Sequence, residues 1–236
     1  RLVAVPAAVV ALLVLPIGSV KAAAPDGARV IHETETEYQY ARVVEMPDGE
    51  RRLELNEGQA IHSLRRPGTV LTGNYWDEFL VTPLAVLDRV PRRVAILGNA
   101  AGTTARAYGR LFPRTAVDGV EIDGELTEIG RRYFDLRGPR LRTFTEDARP
   151  FLRRTEERYD AILVDAYHQP YIPFYLTTRE FFALVRDRLV PGGVVLINVG
   201  HPEGSDRLEQ GLSETLDAVF ATVARNAVTD TNTVLI

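Results

Sequence analysis

The pattern of apolar and polar positions changes twice along the chain. Leu2 to Val20 carries no charged residue, residues from Arg29 to about Leu71 alternate between apolar and polar, and continuous apolar runs begin at Arg92. Alternation is typical of strands with one buried face, whereas continuous runs are typical of strands buried on both faces. The pattern predicts an apolar segment, a small antiparallel unit and a larger unit with a parallel sheet.

The apolar segment Leu2–Val20 is long enough to cross a bilayer as one helix. Its two prolines, Pro6 and Pro16, are tolerated in membrane helices. We therefore expect a transmembrane segment over residues 1–21 that anchors a cytoplasmic domain, followed by a linker over residues 22–27. A cleaved signal peptide is the alternative, because the small residues of "KAAAP" follow the apolar run.

The alternating region predicts a small β domain over residues 28–71. Two strand-like runs, residues 29–46 and 51–64, flank Pro47-Asp48-Gly49, which is a hairpin signal. An amphipathic helix is expected next, over residues 74–90, and Asn74 is suited to cap its N-terminus. This helix belongs to the second predicted domain, over residues 72–236, whose terminal run "NTVLI" leads us to expect a truncated C-terminus.

Strands and helices alternate from Arg92 onward. The apolar strands are "RVAILG", "TAVDGVEID", "RLRTFTED", "YDAILVDA" and "GGVVLINVG". Helical stretches are expected over residues 102–111, 124–134, 148–154 and 177–189, with a last helix over residues 205–225. Such alternation predicts an α/β fold with a Rossmann-like, doubly wound sheet, preceded here by the antiparallel β unit.

Composition excludes several functions. The net charge is −4 and the arginines are scattered, so the chain lacks the basic stripe of a nucleic-acid-binding protein. There are no cysteines, which excludes disulfides and thiolate metal sites. The four histidines are far apart in the sequence, and we predict no metal site.

The strand ends of the predicted sheet carry a candidate nucleoside site. Ligands of such sheets bind beyond the carboxyl ends of the strands. Gly98 and Asn99 follow the first strand, and Gly102 follows them at the start of a helix. Glu121 ends the second strand, 19 residues beyond Gly102, where a carboxylate accepts ribose hydroxyls; Asp123 follows it. No lysine or arginine lies in the loop, which argues against a diphosphate.

Two further acids follow the next strands. Asp147 is placed to accept a hydrogen bond from an adenine amino group, to cap the helix that follows it, or to do both. Asp165 ends the fourth strand after four apolar residues, and either acts as a general base or caps its loop. That loop, "AYHQPYIPFYL", includes His168 and is typical of a lid over a small-molecule pocket.

The ordered set of motifs resembles the polyamine aminopropyltransferases, the spermidine and spermine synthases. The matching motifs are "YQ", "DEF", "VAILGNAAGT", "VEID", "EDARPFL", "YDAILVDAY" and "LTTREFFALVRDRLVPGGVVLINV", from about Ile31 to the C-terminus. The resemblance implies a sheet of the class I methyltransferase type. Together with the apolar segment, it implies the bacterial type in which a membrane region is fused to the synthase domain.

The resemblance also implies the chemistry. Decarboxylated S-adenosylmethionine would be the co-substrate, no cofactor would be tightly bound, and a polyamine amine would accept the aminopropyl group. Glu121 would bind the ribose, Asp147 the adenine, and Asp165 would take the proton of the attacking amine; orientation and one base suffice for this reaction. The side chains expected near the acceptor are Gln39, Asp77, Tyr167 and His168. The sequence leaves open whether the chain forms a homodimer.

The chain departs from the family pattern at three places. Ala101 replaces an acid of the glycine loop, Val81-Thr82-Pro83 follows "DEF" where the family has aromatic and polar residues, and His168 replaces the second acid of the lid. Three hypotheses follow: an aminopropyltransferase with an altered acceptor, a methyltransferase that uses intact S-adenosylmethionine, and a non-catalytic nucleoside-sensing domain of a membrane protein.

Overall fold

A computed structural model describes residues 23–56, 60–167 and 172–236. The apolar segment Leu2–Val20 lies outside these ranges, so the expected transmembrane helix stays a prediction. Within them, every helix is too short or too polar to span a bilayer.

The N-terminal unit is a four-stranded antiparallel sheet. Its strands, in spatial order, are β1 (Arg29–Glu35), β2 (Tyr40–Glu45), β3 (Arg51–Leu55) and β4 (Ile61–Arg65). The predicted turn between β2 and β3 is confirmed, with the Met46 amide donating to the Glu50 carbonyl at 2.8 Å. The prediction of one long strand on each side of the turn was wrong. Thr36 Oγ1 accepts hydrogen bonds from the amides of Tyr38 and Gln39 and turns the chain after β1.

The larger unit contains a seven-stranded mixed sheet. Its strands are β5 (Arg93–Leu97), β6 (Ala116–Glu121), β7 (Leu141–Thr145), β8 (Tyr159–Val164), β9 (Leu189–Gly200), β10 (Arg225–Thr229) and β11 (Asn232–Leu235). The spatial order is β10-β11-β9-β8-β5-β6-β7, and β11 runs antiparallel to both of its neighbours. The order reverses between β5 and β8, where the carboxyl ends of the strands open a crevice.

Helices cover both faces of this sheet. They are α1 (Tyr75–Leu87), α2 (Thr103–Leu111), α3 (Gly124–Tyr133), α4 (Ala148–Arg154), α5 (Arg179–Arg188) and α6 (Arg207–Asp217), with a 3₁₀ turn at Phe174–Leu176. The predicted cap is confirmed, because Asn74 accepts the Tyr75 amide at 2.7 Å. The prediction that the last helix reaches Arg225 was wrong. The amides of Val219 and Phe220 both bond to the Leu216 carbonyl and end the helix, and Arg225 begins β10.

Three apolar clusters hold the described residues together. One lies between the sheet and α4–α6 and includes Phe151 and Phe181; the second lies between the sheet and α1–α2 and includes Phe79 and Tyr108. The third joins the small sheet to α3. Two hydrogen bonds fix β4 over the glycine loop, because the Ala101 amide donates to Ser63 Oγ at 3.0 Å and the Leu64 amide donates to Thr103 Oγ1 at 2.8 Å. The small sheet therefore forms one wall of the crevice.

Candidate active site

A cavity of about 340 Å³ lies at the carboxyl ends of β5, β6 and β8, beneath the small sheet and the 3₁₀ turn. It brings together Glu121, Asp147 and Asp165, the three strand-end acids that the sequence places at this edge. Other predicted side chains and loop positions that line it are Gly98, Gln39 and Tyr167. Its volume is in the range of small-molecule sites.

The glycine loop depends on its two glycines in different ways. Gly98 has φ +86°, and a Cβ there would lie 2.5 Å from the Asp165 carbonyl oxygen, so only glycine lets the loop pass this strand end. Gly102 also has φ +86° and packs against Leu136 rather than lining the cavity. Asn99 is buried against Gly119, and its amide atoms have no hydrogen-bond partner among the described residues. Of the loop residues predicted for the nucleoside, only Gly98 faces the cavity.

Glu121 is fixed at the floor of the cavity. Its Oε2 accepts the Ala100 amide at 2.7 Å and its Oε1 accepts the Asp123 amide at 3.0 Å. Burial raises the pKa of Glu121 from its usual 4.5 to about 7, and these hydrogen bonds partly offset the effect. Each carboxylate oxygen keeps a lone pair for a ligand hydroxyl.

Asp123 has a structural role that differs from its predicted one. Its Oδ1 accepts the Glu125 amide at 3.1 Å and caps α3, while its Oδ2 accepts the Thr36 hydroxyl at 2.6 Å and the Gln39 amide group at 3.4 Å. The carboxylate is buried outside the cavity. It ties the turn after β1 to the large unit, which places Gln39 in the cavity wall.

Asp147 caps a helix, as the sequence allowed, and its second carboxylate oxygen lines the cavity. Its Oδ1 accepts the Arg149 amide at 2.8 Å and caps α4, whereas its Oδ2 accepts the Tyr175 hydroxyl at 2.6 Å and lines the cavity. An adenine amino group would reach this side of the carboxylate.

Asp165 is half-buried and is held by the side chains of Tyr75, Asn198 and Trp76. The Tyr75 hydroxyl donates to its Oδ2 at 3.0 Å, and Asn198 Nδ2 donates to its Oδ1 at 2.9 Å. Asn198 is itself oriented by Asn232, which donates to Asn198 Oδ1 at 2.8 Å. Burial raises the pKa of Asp165 from its usual 3.8 to about 7; its hydrogen bonds oppose this effect and the nearby charge of Glu121 adds to it.

A second, more open cleft of about 740 Å³ meets the cavity at Asp165. Residues that line both are His62, Gly98, Ala100, Asp165 and Tyr167. His62 on β4 is largely buried, which lowers its pKa to about 4, and its Nε2 has no partner among the described residues. It therefore presents a neutral imidazole at the junction of the two spaces.

Three residues of this junction were missed in the sequence. His62 counted as an isolated histidine, Tyr75 lies at the start of a helix, and Asn198 lies inside an apolar run. Only the polar side chain within "VVLINVG" was a signal, since a buried strand excludes such a residue unless it has partners.

The predicted acceptor residues do not all reach the junction. The Tyr167 hydroxyl donates to the Asn198 carbonyl at 3.0 Å, accepts from the Gly200 amide and lines both spaces. Asp77 lines neither, because its carboxylate accepts hydrogen bonds from Thr72 and Gly73 and holds the turn before α1. His168 lies outside the described residues.

Ala101, the position of the absent acid, is fully buried and lines neither space. It packs in the cluster between the small sheet and α3, with Leu55 and Leu126 among its members. Its neighbour Ala100 lines the cavity, as Gly98 does.

Within the described ranges, no three His, Asp or Glu side chains are grouped as metal ligands. The site offers one buried and one half-buried acid, Glu121 and Asp165, both with raised pKa values, a third acid at the rim and a neutral imidazole. Such a set suits a nucleoside that carries a positive charge, together with a reactant that loses a proton.

Residues 76–235 match the model of the spermine/spermidine synthase domain. A probable polyamine aminopropyl transferase of Bifidobacterium longum is 35% identical over 190 residues, which are 80% of this chain and 42% of that protein. A polyamine aminopropyltransferase of Vibrio vulnificus is 37% identical over 112 residues, which are 46% of this chain and 38% of that protein. The chain thus matches less than half the length of these curated relatives.

Solved structures share the fold. A probable spermidine synthase from Corynebacterium glutamicum superposes with a TM-score of 0.73 at 23% identity, over 88% of this chain and 79% of the other. A spermidine synthase in complex with the transition state analogue AdoDATO gives a TM-score of 0.71 at 21% identity, over 88% of this chain and 73% of the other. These likenesses establish the Rossmann-like fold with its small antiparallel sheet. The structure of human methyltransferase-like protein 13 in complex with SAH superposes with a TM-score of 0.57 at 21% identity, over 68% of this chain and 77% of the other, so the sheet is of the methyltransferase type.

Proposed function

Because the chain belongs to the spermine/spermidine synthase family, we propose that it transfers the aminopropyl group of decarboxylated S-adenosylmethionine to an amine in polyamine biosynthesis. The main support for this proposal is the position and the pKa of Asp165. It stands where the cavity meets the second cleft, and its pKa of about 7 suits a group that takes a proton at neutral pH.

The donor occupies the 340 Å³ cavity. Glu121 accepts the ribose hydroxyls, Asp147 accepts the adenine amino group, and the backbone at Gly98 passes close to the ligand. The donor is a sulfonium cation, and a low-dielectric cavity with carboxylates on two sides favours a cation strongly. This arrangement supports a charged sulfonium ligand over a neutral nucleoside.

The acceptor enters through the second cleft. Its neutral nitrogen attacks the propyl carbon bonded to sulfur, the new C–N bond forms as the C–S bond breaks, and the electron pair stays on sulfur. The product thioether is neutral methylthioadenosine. The proton displaced from nitrogen passes to Asp165, which Tyr75 and Asn198 hold in place.

Calorimetric titration of the full chain with three ligands tests the donor assignment. The ligands are decarboxylated S-adenosylmethionine, S-adenosylmethionine and methylthioadenosine. We expect the decarboxylated form to bind tightest, because an added carboxylate would face Asp165 and Glu121. Tighter binding of intact S-adenosylmethionine would contradict aminopropyl transfer and favour a methyltransferase or a sensor. The reaction itself is followed as methylthioadenosine released in the presence of a polyamine.

We further propose that the chain is of the membrane-fused type, with Leu2–Val20 as an anchor and the catalytic domain on the cytoplasmic side. The uncharged length of this segment supports the proposal. The full chain should stay with the membrane fraction after alkaline carbonate washing. Release into the supernatant would contradict an anchor, and light scattering in detergent would decide between a monomer and the homodimer that stays open.

A further inference from the structure

A cleft away from the active site gathers positive charge. It lies between the end of β4, the C-terminal half of α2 and the loop after α3, and encloses about 880 Å³. We call it the arginine cleft, and its charged lining consists of Arg65, Arg66, Arg106, Arg110, Arg137 and Asp135. Five arginines against one carboxylate contrast with the net charge of −4 of the whole chain. Like charges repel when held together, so this grouping costs stability unless an anion is bound.

Two of these arginines have local partners. Arg137 pairs with Asp135, and Arg66 donates to Glu50 at 2.8 Å. The side chains of Arg65 and Arg110 make no hydrogen bond or ion pair with any described residue. The C-terminal end of α2 favours a cation at Arg110, but it accounts for neither Arg65 nor Arg106.

Arg106 is the strongest sign of a missing ligand. Only 8% of its surface is exposed, its Nε has no partner among the described residues, and Nη2 makes one long hydrogen bond of 3.4 Å to the Leu64 carbonyl. Burial and the charge of Arg65 both lower the pKa of Arg106. A buried guanidinium normally satisfies several of its five donors, and an acceptor bound in the cleft that Arg106 lines would supply partners for its terminal Nη groups.

We propose that the arginine cleft binds a small molecule carrying two or three phosphate groups, at a site separate from the active-site cavity. A guanidinium group donates two parallel hydrogen bonds to two oxygens of a phosphate. The three guanidinium groups of Arg65, Arg106 and Arg110 therefore suit several linked phosphates better than a single phosphate. The cleft also has room for the organic part of such a molecule, next to Val70 and Leu71.

Titration of the full chain with inorganic triphosphate tests the proposal. We expect saturable binding that weakens as salt is raised, and about a tenfold loss of affinity in Arg65→Gln and in Arg110→Gln. Arg153→Gln is the matched control, because Arg153 is exposed on α4 and its replacement removes the same charge outside the cleft. The affinity of this variant for triphosphate should equal that of the unaltered chain.

Two results would overturn the proposal. One is the absence of saturable binding to the unaltered chain at low salt; the other is an equal loss of affinity in Arg153→Gln and in the cleft variants, which would indicate attraction to overall charge. Arg106→Gln is not needed for the decision, because replacing a buried side chain risks misfolding. Without triphosphate all three variants should unfold cooperatively, with the thermal midpoints of the two cleft variants at or above that of Arg153→Gln because like-charge repulsion is relieved, which ensures that folded proteins are compared.

Discussion

Replacing Asp165 with asparagine should reduce transfer about a hundredfold or more and at the same time stabilise the fold at alkaline pH. The folded chain holds the proton of this carboxyl more tightly than an unfolded chain does, because the pKa is raised from 3.8 to about 7. Ionised Asp165 therefore costs stability, starting near pH 4 and reaching its full extent above pH 7. Asparagine has the same shape and carries no charge at any pH.

The pKa shift of Asp165 gives the magnitude of the expected change in the free energy of unfolding. At 1.36 kcal/mol per pKa unit, the full shift corresponds to about 4 kcal/mol at pH 8. Asp165 is half-buried and faces a cavity that admits water, so we expect about half of this value, near 2 kcal/mol. The same calculation leaves about 1 kcal/mol at pH 5, where the carboxyl of the folded protein is protonated.

Denaturant unfolding at pH 8 and pH 5 measures this difference, and methylthioadenosine release measures transfer. Asp217→Asn is the control, because it removes an equal charge from an exposed position at the end of α6. We expect Asp165→Asn to raise the free energy of unfolding more at pH 8 than at pH 5, while transfer falls by about a hundredfold or more. Equal stability of Asp165→Asn and the unaltered chain at both pH values would refute an ionised, desolvated carboxylate at this position.

Three further predictions concern the same units of the fold. Glu121→Gln should weaken methylthioadenosine binding by about tenfold or more in calorimetry, since a charge-assisted acceptor of ribose hydroxyls is lost; unchanged affinity would remove Glu121 from the donor site. The kcat/KM for transfer should rise with pH through about 7, because only ionised Asp165 accepts a proton; a pH-independent profile would exclude it as the base. Gly102→Ala should cost at least about 2 kcal/mol in denaturant unfolding, because of its positive φ and its contact with Leu136. Gly211→Ala, in the open middle of α6, should instead be neutral or stabilising, and equal losses in both variants would contradict this account.

The sequence was sufficient to predict the strand-end acids but not their partners. Glu121 and Asp165 each end an apolar strand, and parallel strands bring their carboxyl ends to one edge, so the convergence follows from periodicity alone. Whether a polar side chain beside such a strand faces the cavity depends on packing. Asn99 and Asp123 follow strands in the same way, yet one packs on the sheet and the other caps α3.

Contacts between residues that are far apart in the chain could not be predicted from the sequence. Tyr75 reaches Asp165 over 90 residues, and His62 reaches the cavity because β4 is fixed over the glycine loop. The first predicted strand breaks into β1 and β2 because a single side chain, Thr36, turns the chain between them. Local patterns specify elements, whereas the packing of the small sheet on the large one decides which side chains meet.

Because the pKa values of Glu121 and Asp165 are raised, binding of a cation in the cavity is coupled to the release of protons. Near neutral pH each carboxyl is protonated in part of the molecules. A sulfonium ion that settles between them lowers their affinity for protons, so hydrogen ions leave as the donor enters. The heat of binding then changes with the ionisation enthalpy of the buffer, and the donor is held more tightly as the surroundings become alkaline. Under the proposed function, the affinity for the donor, and not only the rate of transfer, would therefore depend on the pH of the surroundings.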